Sequence, residues 1–298
     1  MRLSETRSDK EVSTVSAMPT IPLGHWVSGG VDYLTAHYSA SLDAISRFIH
    51  SLISLLERGL GSIPVSVFIP LVSVLALLAL GWRRPRAWGL ALFSLLGLGL
   101  VWNLRLWHAL IQTLSLVLAA EVLILVVGIP LGILAAQSRI AEKILRPILD
   151  VMQTMPAFVY LVPAVIFFGL GLVPGVIATT IFALPPLVRL TTLGIRHVPE
   201  ELVEATESFG ATWWQLLWKV QIPTALPSIM AGVNQSIMLG LSMVVIASMI
   251  GAGGLGNEVL QGITQLDVGK SFIGGISVVI LAIIIDRLTQ AFGQQRKE

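Results

Sequence analysis

The stretch EATESFGATWWQLLWKVQIPTALP, Glu204 to Pro227, lies between two strongly apolar runs, and its local chemistry predicts a projecting elbow. Just upstream, Pro199 suits the first position of a helix, and Glu200 and Glu201 complement the positive end of its dipole. Gly210 fits the left-handed position that ends such a helix. Thr212 and Gln215 have capping-box spacing and start a second helix from Trp213 to Gln221. Pro223 and Pro227 are expected to break the chain before the next apolar run. Ala205 is small enough for close packing. The segment 195–227 thus reads as helix, glycine, helix, compact enough to transmit force as a rigid body.

The apolar runs on either side set the class of the protein. Of 298 residues, 55% are hydrophobic and 12% charged, and the mean hydropathy is +0.84. A soluble domain carries about 25% charged residues, so much of this surface faces something other than water. Seven runs, near 63–80, 87–103, 107–136, 156–173, 175–194, 228–250 and 272–292, approach the ~20 residues needed to cross a bilayer core. The expected fold is an all-α polytopic membrane bundle. It divides into an extracytoplasmic tail (1–62), two short N-terminal spans (63–104), a core (105–292) and a short C-terminal tail (293–298). Within the first tail, Leu42, Ile45, Ile49, Leu52, Ile53, Leu56 and Leu60 recur at helical spacing. This predicts an amphipathic helix over 41–61, lying in the membrane interface or packed on the bundle.

Lysine and arginine orient the bundle. Twelve of the 19 basic residues fall in one alternate set of connections and at the C-terminus, two (Arg105 and Lys270) in the other set, and five in the N-terminal tail. The bias puts the elbow and the C-terminus in the cytoplasm and, with seven spans, the N-terminus outside. The polar N-terminus lacks a signal-peptide core. A net charge of +2 without a basic stripe argues against nucleic-acid binding.

Glu204 to Pro223, E-A-T-x3-G-x9-V-x-I-P, resembles the EAA signature of ABC importer permeases, with Thr206 where that family usually has Ala. The resemblance extends over roughly 105–292. It implies the transmembrane domain of a type I ABC importer, working as a homodimer in the bacterial inner membrane. Two cytoplasmic ATPase subunits would grip the two elbows, through Glu204, Ala205, Gly210 and Pro223, and a periplasmic or lipid-anchored binding protein would deliver the solute. Met152 to Pro163 (MQTMPAFVYLVP), Phe168 to Gly175 (FGLGLVPG), the run from Gln235 and Gly251-Ala-Gly-Gly-Leu-Gly256 are similar to the branch for glycine betaine, proline betaine and choline. Permeases for other small solutes such as amino acids share the glycine run.

Candidate pathway residues follow from polarity and ring chemistry. A quaternary ammonium headgroup is a diffuse cation that aromatic faces hold without a carboxylate, and Phe158, Tyr160 and Phe168 lie in or beside the fourth run. Those rings could equally pack or anchor the helix. Pro185-Pro186, and Pro130 with Gly132, are expected to interrupt their spans, as irregular backbone lining a cavity does. Gln153, Thr154, Asn234, Gln235, Ser236 and Ser242 could line the route or bond between helices. Glu121, an acid inside the third run, could attract a cation or bond to a neighbouring helix.

No catalytic set, cofactor site or metal site is legible. The chain has no cysteine, and its five histidines lack ligand spacing. Gly251-x-Gly253-x-x-Gly256 follows a span rather than a strand, so it is no dinucleotide fingerprint. Gly269-Lys270-Ser271 lacks the first glycine of a phosphate loop, since position 264 is Thr. An ion-coupled secondary transporter would show repeated halves with paired discontinuous helices, and no internal repeat is evident.

Overall fold

The computed structural model describes residues 23–81 and 85–294; the expected features at 1–22, at Arg83 and Arg84, and at 295–298 lie outside these. The described residues are helical or in short connections, with no strand. Two compact units divide at Leu42. Of the first, the described part is the opening of α1 (Leu23–Gly61), where Tyr38 departs from helical backbone values.

The second unit holds the bundle. Along α1 from Asp43, Ile49 and Ile53 are buried and Leu52, Leu56 and Leu60 pack on the core, while Ile45, Phe48 and Leu55 remain exposed. The apolar arc is therefore split between protein and surroundings. The chain bends by 96° into α2 (Val65–Leu80), which pairs with α3 (Pro85–Asn103).

The core is α4 (Trp107–Gln137), α7 (Leu172–Arg196), α10 (Ile222–Ser248) and α12 (Val268–Gln294), with α7 packed between α4 and α10. Small residues permit this approach. At Gly132 a Cβ would lie 2.5 Å from the Thr191 Cβ and 3.0 Å from the Val188 carbonyl oxygen, and Gly128, one turn earlier, faces Leu184 and Leu187. Without a hydrophobic driving force in lipid, such small-residue contacts and interhelical hydrogen bonds hold spans together. Thr192 supplies one such bond, its Oγ1 donating to the Gly132 carbonyl at 3.0 Å.

The span pattern differs from the seven expected. Among the described residues, four helices are long and apolar enough to cross a membrane: α4, α7, Trp213–Ser248 and α12 through Ala291. Two bent pairs bring the total to six at most, and Ala87–Asn103 is a shorter apolar helix. The expected run 156–173 is not one helix. A 3-10 turn (Ala157–Tyr160) leads into α6 (Leu161–Phe168), bent 110° from the amphipathic α5 (Arg139–Thr154). Pro156 holds extended backbone before the turn, and Gly169 and Gly171, both with positive φ, end the segment.

The prolines act elsewhere than expected. Pro130 lies inside α4, and Pro185 and Pro186 inside α7, with the helices continuous through them. Proline's fixed φ is compatible with helix; its missing N–H and the clash of its ring with the i−4 carbonyl are costly, and packing by neighbouring helices makes them tolerable within a bundle. The irregular backbone sits instead at 155–160, 169–171, 209–212 and 249–253.

Candidate functional site

The elbow forms as its local chemistry predicts. Helix α8 (Glu200–Ser208) ends in a Schellman motif: the Gly210 N–H donates to the Glu207 carbonyl at 2.8 Å and the Ala211 N–H to Thr206 at 3.3 Å. Gly210 occupies φ 78°, the left-handed region where a side chain is strained. Helix α9 (Trp213–Leu216) opens with the Thr212–Gln215 capping box, the Thr212 N–H donating to the Gln215 Oε1 at 2.8 Å.

Beyond α9 the structure departs from expectation. Pro223 and Pro227 do not break the chain. A π turn over Leu217–Gln221 carries the Ile222 N–H to the Leu217 carbonyl, and α10 continues from it, so Trp213–Ser248 reads as one span-forming unit. The wider turn admits Pro223, which has no N–H to give an ordinary helical bond. The second arm of the elbow is thus a direct extension of a core span.

No residue of α8 is buried, and Glu204, Ala205 and Gly210 are all exposed, as is Pro223. Around them lie Phe209, 94% exposed, and the exposed Leu202, Trp213, Trp214 and Trp218. The rings of Trp213 and Trp214 meet edge to face at 4.7 Å. Exposed aromatic side chains grouped on such a projecting elbow, which also carries Glu200, Glu201, Glu204 and Glu207, are a feature of protein-contact surfaces. These aromatics were missed from the sequence. Their clustering at the tip, beside three tryptophans in six residues, was the available signal.

The candidate pathway residues separate into two groups. Glu121 is buried on α4, and the Ser236 Oγ of α10 lies 2.8 and 2.9 Å from its two carboxyl oxygens. Asn234 donates to Asp286 Oδ1 at 2.7 Å and accepts from Thr289 at 2.7 Å, knotting α10 to α12. Tyr160 is buried, its hydroxyl donating to the Met152 carbonyl and its ring 6.2 Å from Phe182. These side chains join helices. Gln153, Thr154 and Phe158 are exposed around the α5–α6 bend, and Gln235 and Ser242 are exposed on α10 with Met238 between them. Phe168 is half-buried against the core. Asp286, the acid that organises the Asn234 knot, was not singled out from the sequence.

At the opposite end of α10, the glycine run serves packing. The Leu255 N–H, opening α11 (Gly254–Thr264), donates to Thr113 Oγ1 of α4 at 2.8 Å, and a Cβ on Gly256 would fall 2.4 Å from the Val244 carbonyl oxygen. Among the described residues no cluster of His, Asp or Glu could hold a metal ion.

Residues 128–298 match the family described as binding-protein-dependent transport system inner membrane component. The chain is 52% identical, over 94% of its length and 98% of the relative's, to the glycine betaine/carnitine transport permease protein GbuB of Listeria monocytogenes. It is 48% identical to the glycine betaine transport system permease protein OpuAB of Bacillus subtilis, covering 94% of this chain and 97% of that one. The glycine betaine/proline betaine permease ProW of Escherichia coli is also 48% identical, over 93% of this chain and 77% of its own. A chain in inward-facing structures of the MetNI methionine ABC transporter superposes with a TM-score of 0.55 at 23% identity, covering 61% of this chain and 93% of that one, which shows the fold alone. The chain belongs to the binding-protein-dependent transport system inner membrane components, and it is an ABC-type membrane permease.

Proposed function

We propose that this permease carries a quaternary ammonium solute (glycine betaine, proline betaine or choline) into the cytoplasm, driven by a separate ATPase. The observation that carries the reading is the elbow: an exposed, capped helix pair whose second arm runs without a break into the span α10. It is supported by relatives named for glycine betaine transport at 48–52% identity over nine-tenths of the chain.

In this reading two copies of the chain form the pathway, and each elbow sits on one of two ATPase subunits. Glu204, Ala205, Gly210 and Pro223 shape the docking tip, and Phe209, Trp214 and Trp218 supply its apolar contact. Closure of the ATPases pushes the tips together. Each α10 moves with its tip, opening the route outward to a binding protein, and hydrolysis resets it. The elbow and C-terminus face the cytoplasm, in accord with the lysine and arginine bias; with Ala87–Asn103 crossing as a seventh span, the N-terminus faces the outside. The route itself needs only weakly polar surface, since a betaine headgroup is a diffuse cation; Gln235, Ser242, Phe158, Gln153 and Thr154 provide it. Glu121 and Asn234 hold helices together in the state described.

The test is uptake. The chain, its ATPase and its binding protein are expressed in a host lacking betaine and choline uptake, and labelled glycine betaine, proline betaine, choline and methionine are compared. Vanadate-sensitive accumulation of a quaternary amine is expected. Accumulation of methionine alone, or uptake insensitive to vanadate, would overturn the proposal.

A further inference from the structure

Helices α5 and α7, with Ala135 of α4, line an open cavity of about 260 Å³ in which Arg146, Arg189, Arg196, Glu142, Asp150 and Thr192 stand beside Leu145, Leu149 and Leu193. Three guanidinium groups meet two carboxylates there. Arg189 holds Asp150 at 2.5 Å and Arg196 holds Glu142 at 2.7 Å, leaving Arg146 without an ion pair or hydrogen bond among the described residues. Arg139 and Lys143 on the same helix are exposed and likewise unpaired. The cavity and its rim therefore carry surplus positive charge.

A second observation concerns the other side of α5. Ile140, Ile144, Ile148 and Val151 recur at helical spacing and are exposed, while Leu149 of the same helix is buried against the bundle. A helix so divided, polar and basic on one face and apolar on the other, lies in the plane of the membrane interface. The 110° bend between α5 and the segment 157–168 turns it out of the direction of that segment. With the isoleucine stripe seated in the acyl-chain boundary, the opposite, basic face that carries Arg146 turns toward the headgroups and the water beyond them. Basic pockets between membrane helices on the cytoplasmic side recognise anionic headgroups, and a guanidinium fork matches a phosphate in two hydrogen bonds.

We propose that the α5–α7 cavity binds the phosphate-bearing headgroup of an anionic phospholipid, with Arg146 as the guanidinium that meets the phosphate. Its place in the cytoplasmic leaflet rests on the orientation proposed above.

The experiment is native mass spectrometry of the full chain, released from detergent after equilibration with phosphatidylglycerol or phosphatidylcholine. Retention of phosphatidylglycerol over phosphatidylcholine is expected. Arg146→Gln should weaken that retention about fivefold, the factor one basic side chain near an anionic surface carries, while Lys270→Gln should not. Asp150→Asn, which frees Arg189, should strengthen it; a merely structural role for Arg146 does not predict that rise. Equal retention of the two lipids, or unchanged retention in Arg146→Gln, would overturn the proposal. So would binding of inorganic phosphate in place of lipid, or cross-linking of Arg146→Cys to a second copy of the chain. Because the chain has no cysteine, Arg146→Cys also tests the orientation separately. Labelling by a membrane-impermeant maleimide in intact cells would refute the cytoplasmic placement, whatever the lipid result.

Discussion

Gly210 is where the elbow is most open to a clean perturbation. Its φ is 78°, and a Cβ built there meets nothing within 4 Å. A side chain would therefore cost only backbone strain, about 1–2 kcal/mol for an L-residue in the left-handed region. Helix α8 buries no residue and touches only α9 and the π turn, so little packing opposes a change in the angle between α8 and α9. The strain is expected to appear as a shift of the elbow away from its docking geometry by a factor of roughly 5 to 30. A graded series separates this from bulk: Asn tolerates the left-handed conformation, Ala less well, and a β-branched Val least. Uptake should fall in the order Gly, Asn, Ala, Val, and co-purification of the ATPase should fall with it. Thermal unfolding of the permease in detergent should stay unchanged across the series, because the substitution touches no core contact. Equal impairment by Asn and Val would refute the argument from φ. Native uptake by Gly210→Val would remove the elbow from the transport cycle altogether.

Gly132→Val, by contrast, should destabilise the bundle by about 1–3 kcal/mol through overpacking against Thr191 and the Val188 carbonyl; an unchanged melting temperature in detergent would contradict the close α4–α7 contact. Replacing both Trp214 and Trp218 with Ala should abolish ATPase co-purification and leave the permease's thermal stability within about 0.5 kcal/mol, as surface changes do. Full retention of the ATPase would show that these exposed rings do not form the contact. Glu121→Gln keeps a hydrogen-bonding partner for Ser236 and should preserve both folding and the pH profile of uptake. Glu121→Leu removes the interhelical hydrogen bond but leaves the serine hydroxyl the Val233 carbonyl, and should cost about 0.5–1.5 kcal/mol of stability, the net worth of one hydrogen bond. A change in the pH profile with Glu121→Gln would place the carboxyl in the solute path instead.

Much of this protein was legible because local rules act on consecutive residues. Hydropathy marked the spans α4, α7, α10 and α12 without reference to one another, since each satisfies its own backbone in lipid. The Gly210 terminus and the Thr212–Gln215 box were readable for the same reason: capping geometry involves atoms within a few residues. Proline was misread at Pro130, Pro185-Pro186, Pro223 and Pro227. Whether a missing N–H breaks a helix depends on what packs around it and on whether a π turn adjusts the ladder, and neither is a local property. The segment 156–173 was misread because its apolar run has the length of a span, whereas Pro156 and the glycines at 169 and 171 divide it.

The pathway residues show the same boundary. Polarity within a span selected Glu121, Asn234, Gln235 and Ser242 alike, but only their azimuth around the bundle separates helix-joining groups from exposed ones. That azimuth is set by which neighbours each helix finds. The sequence by itself determined a membrane-embedded all-α chain with a capped elbow, because hydropathy and capping are short-range. Only the tertiary structure decided that the elbow's second arm and α10 are continuous, that Glu121 is occupied by Ser236, and that Arg146 is the guanidinium left over. Those outcomes depend on residues far apart in the chain competing for the same partners, or on packing that offsets a local break.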